Sequence, residues 1–201
     1  GQGLLTDDDQ HGDSRFQAIL GNRGRARFVN SSRIAPALIA LSAHARVLGP
    51  GPEEEQFLPL ESLYRIPRRA SQRETSLAPN QLVTHVLVPH STGQSATYEV
   101  RQGEGPDFPL AAAAATLKVS GGVVNAARVV MGQVAPIPWI SNEAARQLIG
   151  RAITPEVAEE AGMAAVYTAL TLPDNEYKVQ LAKVAVKRAI LLAAGFDTGG
   201  F

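Results

Sequence analysis

The chain has 201 residues, with 19 Lys and Arg balanced by 19 Asp and Glu, and no cysteine. That balance excludes a global field drawing it to nucleic acid or a membrane surface, and no apolar run approaches the ~18 residues of a membrane-spanning helix. Without cysteine there is no disulfide, no thiolate zinc site, no thiol nucleophile and no iron–sulfur cluster held by this chain. Its 45% apolar and 19% charged residues are ordinary for a globular domain with its own core. Gly1–Asp9 lacks the basic region and apolar core of a secretion signal, so a cytoplasmic location is expected.

In chain order, residues through His11 read as a polar lead, followed by the apolar run Phe16–Leu20, which Gly21 ends. Arg23, Arg25 and Arg27 alternate, as on one face of a strand or a solvated loop. Ser31-Ser32 before Ile34, Pro36, Leu38, Ile39 and Leu41 predict a short, serine-capped helix with proline in its first turn. His44–Leu48 and Gln56–Leu60 predict a hairpin around Gly49-Pro50-Gly51-Pro52. Residues 61–80 read as irregular, and the β-branched Leu82–Val88, between Asn80 and Pro89, as a strand.

The polar stretch 90–95 is the best candidate for a domain boundary. Beyond it, Tyr98–Gln102 predicts a strand and Gly103-Glu104-Gly105-Pro106 a turn. Ala111–Val119 and Val123–Val134 predict a hairpin about Ser120-Gly121-Gly122, where glycine supplies positive φ. The Ala111–Ala115 run prefers helix by propensity, a preference that tertiary context often overrides. Three helices follow: Ser141 to about Leu148, Thr154-Pro155 to about Leu170, and a last one capped by Asp174 that ends before Gly195. The last lays Tyr177, Leu181, Val184, Ala185, Arg188 and Leu191 along one side. Three antiparallel strands followed by three helices make an α+β unit.

Local catalytic signals are weak. Gly12-Asp13-Ser14 lacks the rest of a nucleophile elbow, so Ser14 reads as a loop serine. His11, His44, His85 and His90 show no metal-ligand spacing. Gly103-x-Gly105 is too short for a dinucleotide fingerprint. Arg68-Arg69-Ala70-Ser71 has the form of a basic phosphorylation site, but with Arg65 and Arg73 it reads first as a solvated loop and second as a docking patch.

An ordered series of segments carries more. These are Gly12-Asp13-Ser14-Arg15-Phe16-Gln17-Ala18-Ile19-Leu20-Gly21, Ser31-Ser32-Arg33-Ile34-Ala35-Pro36-Ala37-Leu38-Ile39-Ala40-Leu41, Leu82-Val83-Thr84-His85-Val86-Leu87-Val88-Pro89, Asp107-Phe108-Pro109-Leu110, Val129-Val130-Met131-Gly132-Gln133-Val134-Ala135-Pro136-Ile137-Pro138-Trp139, and Asn175-Glu176-Tyr177-Lys178-Val179-Gln180-Leu181-Ala182. Together they resemble the FAD-binding middle subunit of the xanthine dehydrogenase, carbon monoxide dehydrogenase and aldehyde oxidoreductase family, most closely the bacterial aldehyde oxidoreductase type. The resemblance covers about residues 12–195. It implies that residues 12–89 are the end of a PCMH-type FAD-binding second subdomain. Residues 96–195 then form its C-terminal domain, a three-stranded antiparallel sheet packed with three helices.

The resemblance further implies FAD as cofactor, a molybdopterin-containing large subunit and an iron–sulfur small subunit as partners, and a doubled assembly. In that family electrons pass from the iron–sulfur clusters through the flavin to an acceptor. The implied cofactor-facing residues are Ser32, Arg33, Leu82, Val83 and Glu99, with no catalytic residue and no metal ligand. Two of them depart from the family, which usually carries Asp where Arg33 stands and often Lys where Glu99 stands. The family's glycine-rich pyrophosphate loop and its Gly-Gly-Asn segment lie upstream of the matched region, and no activity is expected of the 201 residues alone. The alternative implied by these departures is a scaffold or docking module of the same fold that has ceased to bind flavin.

Overall fold

The computed structural model describes residues 13–198 except 52, 70, 91–92 and 104–106. The polar lead through His11, Gly12 and most of the Gly103–Pro106 turn lie outside the described residues, as does Ala70 of the basic Arg-Arg-Ala-Ser pattern.

The first half builds helix α1 (Ala35–Ala40) and strands β1 (His44–Leu48), β2 (Glu55–Pro59) and β3 (Leu82–Leu87). The strands form an antiparallel sheet in the order β2-β1-β3, with His44 opposite both Pro59 and Leu87. A single 3-10 turn, Leu60–Leu63, follows β2 and plugs Leu60 and Leu63 into the core. Pro36 enters α1 in its first turn, and Ser32 Oγ accepts the Ala35 amide at 3.1 Å.

The second half builds β4 (Gln94–Val100), β5 (Ala111–Ser120), β6 (Val123–Gly132) and the two-residue β7 (Trp139–Ile140), one antiparallel sheet in sequence order. Helices α2 (Asn142–Leu148), α3 (Pro155–Ala165) and α4 (Tyr177–Ala193) complete it. Gly121 and Gly122, at φ +61° and +80°, make the β5–β6 turn, a conformation that side chains with a Cβ resist. The sheet thus has one short strand more than the three expected. Gln94 and Ser95, read from sequence as linker, already pair with Leu117 and Thr116. The ten-residue β5 offers an edge long enough for β4 to start early, with Ala96, Tyr98 and Val100 facing the core.

β5 explains the layering. Ala111, Ala113, Ala115 and Leu117 face one core with α3 and α4, while Ala114 faces a second core with Ile39 of α1, Val47 of β1 and Val130 of β6. A strand covered on both faces loses the usual alternation of polar and apolar residues. Alanine there lets helices approach closely on both sides, and this packing overrides the helical preference of the Ala run. The close approach recurs at Gly162, where an added Cβ would sit 2.8 Å from the Lys183 carbonyl oxygen across the α3–α4 contact. Leu117, Met131, Leu148 and Ile190 are fully buried and each contributes about 1.5–3 kcal/mol.

Ser141 and Thr154 cap their helices by accepting the Ala144 and Val157 amides. Two expectations fail. Helix α3 ends at Ala165 rather than near Leu170, because the Leu170 amide donates to Ile19 O at 2.8 Å and draws the chain away. Asp174 does not cap α4; its carboxylate accepts from Ser14 Oγ at 2.9 Å, and its own amide donates back to that oxygen. The buried face of α4 only partly follows the expected stripe: Ala185 and Leu191 are buried as expected, but the face also carries Lys178, Ala182, Val186, Ala189, Ile190 and Ala193, whose three added alanines match the Ala face of β5. Among the described residues no helix is long and apolar enough to cross a membrane.

Candidate functional site

Where β6 ends, Gln133 takes φ +58°, a left-handed conformation that costs a non-glycine residue on the order of 1–3 kcal/mol and persists only when its surroundings hold it. Those surroundings are laced together. Val134 O accepts the amides of Ile19 and Leu20 at 2.9 and 3.0 Å, and Ala135 O accepts that of Asn30 at 2.8 Å. Gln133 Nε2 donates to Ser32 O at 3.1 Å. Lys178, 1% exposed, reaches in from the first turn of α4. Its ammonium donates to Phe16 O, Gln17 O and Gln133 O at 3.2, 3.1 and 2.8 Å.

An ammonium has three protons to give, and all three are committed. Burial nevertheless pushes the Lys178 pKa down to about 8, because desolvation disfavours the charged form. Lys178 therefore acts as a clamp on the strained turn and has no proton left for a ligand. The neighbouring Asn175 and Tyr177 extend the clamp, donating to Gln17 O and Arg15 O. Ser14 is tied down by Asp174 and serves as a tether.

Beside this clamp lies a cleft of about 470 Å³, walled by Phe16, Ser31, Asp107, Phe108, Pro109 and Gln133. Gln133 is 3% exposed, and its Oε1 has no hydrogen-bond partner among the described residues. A buried acceptor without a donor is costly, and among the residues that wall the cleft Gln133 carries one.

The sequence-predicted residues fall in two places. Ser32 is tied to the cleft wall through Gln133; its amide donates to Asn30 Oδ1 and its hydroxyl accepts the Ala35 amide, although the N-cap residue of α1 is Ile34 and not the expected serine. Arg33 and Glu99, which do not line the cleft, meet in a bidentate pair, Nε to Oε1 at 3.0 Å and Nη2 to Oε2 at 2.6 Å, with Arg101 Nε at 3.5 Å. The bonds to Glu99 raise the Arg33 pKa. Leu82 and Val83 stand apart on β3, opposite Leu48 and Val47. Val83 packs on the second core, whereas Leu82 is 66% exposed.

Sequence reasoning missed Gln133 and Lys178 as site residues. A left-handed glutamine has no sequence signature, and a lysine on an apolar face reads as a flank position. At the cleft, apolar walls and an unused buried acceptor fit one edge of a flavin. For its phosphates, the described residues that line this cleft include no glycine-rich cradle.

Residues 96–193 match the CO dehydrogenase flavoprotein C-terminal domain family. Over 183 residues, 88% of this chain and 60% of the relative, the chain is 28% identical to the carbon monoxide dehydrogenase medium chain of Afipia carboxidovorans. A second carbon monoxide dehydrogenase medium chain, from Hydrogenophaga pseudoflava, is 28% identical over 163 residues, 77% of this chain and 54% of the relative. Among solved structures, the carbon monoxide dehydrogenase of Hydrogenophaga pseudoflava lacking the Mo-pyranopterin moiety superposes with a TM-score of 0.67. It is 27% identical and covers 80% of this chain and 55% of that one. Quinoline 2-oxidoreductase from Pseudomonas putida 86 shares the fold at a TM-score of 0.70 and 22% identity, covering 82% and 56%. The chain thus spans about 60% or less of the length of these relatives; its residues 96–193 belong to the CO dehydrogenase flavoprotein C-terminal domain family, and the chain is similar to carbon monoxide dehydrogenase medium chains over most of its length.

Proposed function

We propose that the chain is the C-terminal part of the FAD subunit of a molybdenum-containing oxidoreductase, and that the cleft at Gln133 receives one edge of the flavin. The observation that carries this reading is the medium-chain match over 88% of the sequence, joined to a buried, unpartnered acceptor on a strained residue beside Ser32. Bound FAD would supply the redox chemistry, taking electrons from iron–sulfur clusters and passing them to an acceptor. The chain's own residues position it: Lys178 fixes the turn, Gln133 Oε1 accepts a hydrogen bond, and Phe16 and Phe108 exclude water. Leu82 offers an exposed apolar surface. The assembly in this reading joins a molybdopterin large subunit and an iron–sulfur small subunit, doubled into a homodimer in the cytoplasm. Substrate choice, of the aldehyde oxidoreductase type or another, rests with the large subunit.

The test is the visible absorption of the purified chain after incubation with FAD and desalting. Retained flavin bands that weaken in Gln133→Leu, with thermal unfolding unchanged, support the cleft. A colourless protein overturns flavin binding by these residues and favours the scaffold reading.

A further inference from the structure

On another part of the surface, the Gly21–Arg25 loop faces the segment Ile66–Arg68 across a second cleft of about 480 Å³, which shares no lining residue with the Gln133 cleft. We propose that this second cleft binds a small phosphorylated molecule with a flat apolar portion. Its size suits a small ligand, and its chemistry divides in two. Ile66 and the edge of Trp139 line the floor, and Arg23, Arg25 and Arg68 line the rim.

The floor depends on Gly21, at φ +65°, where an added Cβ would lie 2.9 Å from both Ile66 Cδ1 and Trp139 Cζ3. The loop is held rigidly. Buried Asn22 donates through Nδ2 to Ala18 O and Leu170 O, both at 2.8 Å. Such anchoring pre-organises Arg23 and Arg25, so little freedom is lost on binding.

The charge at this cleft is one-sided although the whole chain is neutral. No acid occurs between Ser14 and Pro52, nor between Ser62 and Arg73, and these two stretches supply all the arginines of the cleft. Elsewhere Arg33, Arg46, Arg128 and Arg151 are each paired with a glutamate. Arg23 and Arg68 make no ion pair with any described residue. Two to three guanidinium forks converging on a concave site match the bidentate geometry of a phosphate. A short cleft of this size suits a terminal phosphate better than the long track that a nucleic-acid backbone needs.

Trp139 is the sole tryptophan of the chain, so its fluorescence reports this cleft directly. The experiment titrates the 201-residue chain with phenyl phosphate, inorganic phosphate and phenol at low and high salt. Expected is saturable change with phenyl phosphate, weaker binding of inorganic phosphate, none with phenol, and loss of affinity with salt. The exposed Arg23→Ala and Arg68→Ala substitutions each weaken phenyl phosphate by about tenfold, the value of one charge-assisted contact, without moving the thermal midpoint. Equal affinity for phenyl phosphate and inorganic phosphate overturns the role of Ile66 and Trp139. No saturable binding, or binding unchanged in the double variant, overturns the site.

Discussion

Replacing Lys178 with methionine separates the clamp from ordinary packing, since methionine keeps most of the apolar stem and removes the ammonium with its three donors. Gln17 O would retain Asn175 Nδ2 as a partner at 3.3 Å, so the carbonyls left without a recorded donor are those of Phe16 and Gln133. Each unsatisfied carbonyl costs about 1–3 kcal/mol, partly offset by removing a buried charge, and the net loss at neutral pH is about 2 kcal/mol. The pH dependence is sharper. The folded-state pKa of Lys178 is lowered from 10.5 to about 8, so between these values the unfolded chain binds the proton and the folded chain does not. Wild-type stability therefore rises with pH through this window; the contribution is complete above the unfolded pKa and is lost as pH falls through about 8. By about pH 9.5 the gain relative to pH 7 is about 2 kcal/mol. Lys178→Met lacks this term, and the tyrosines that begin to ionise there are common to both proteins. Urea unfolding followed by circular dichroism should give a gap of about 2 kcal/mol at pH 7 that roughly doubles at about pH 9.5. A gap that stays constant, or a variant as stable as wild type at pH 7, would refute the clamp.

Three further outcomes follow from the packing. Ser14→Ala removes the two bonds of its hydroxyl with Asp174 and leaves that of its amide, and should lower stability by about 1–2 kcal/mol in the same unfolding assay; an unchanged midpoint would mean that the hydroxyl tether contributes nothing. Gly162→Ala forces a Cβ against the Lys183 carbonyl and should cost about 1–3 kcal/mol by separating α3 from α4, whereas a helix-propensity gain with no loss would show that the contact is slack. Exchanging Arg33 and Glu99 singly, as Arg33→Glu or Glu99→Arg, should lower the thermal midpoint, and the double exchange should recover most of the loss at low salt. Equal midpoints in all four proteins would show the pair to be energetically idle, as exposed pairs often are.

Much of the fold was legible because local chemistry and tertiary packing agree. Ser141 and Thr154 cap helices as their side chains suggest, and Gly121-Gly122 turns the hairpin. What was not legible depends on distant partners. Asp174 has the chemistry of a cap, yet Ser14, far away in sequence, takes its carboxylate. The face of α4 is legible only in part, at Ala185 and Leu191. At the start of the helix a lysine stem and Ala182 are buried and Tyr177 is left half exposed, an arrangement set by the three backbone carbonyls that Lys178 reaches. The site divides in the same way. Ser32, Arg33 and Glu99 were reached through resemblance, while Gln133 became visible only as a backbone strain and an orphaned oxygen.

The Arg33–Glu99 contact changes the weight of the departures. Taken one at a time, an arginine where the family usually has aspartate and a glutamate where it often has lysine read as two losses at cofactor-facing positions. In the structure they form one bidentate pair across 66 residues of sequence, so a reversal at one position is answered by a reversal at the other. The pair itself is neutral, as an aspartate–lysine pair would be, and Arg101 Nε lies 3.5 Å from the same carboxylate. None of these three residues lines the Gln133 cleft, whose wall carries the Asp107 carboxylate, so the exchange leaves the charge of the cleft wall itself unaltered. The pairing thereby removes the charge reversals as independent support for a scaffold that has lost its flavin.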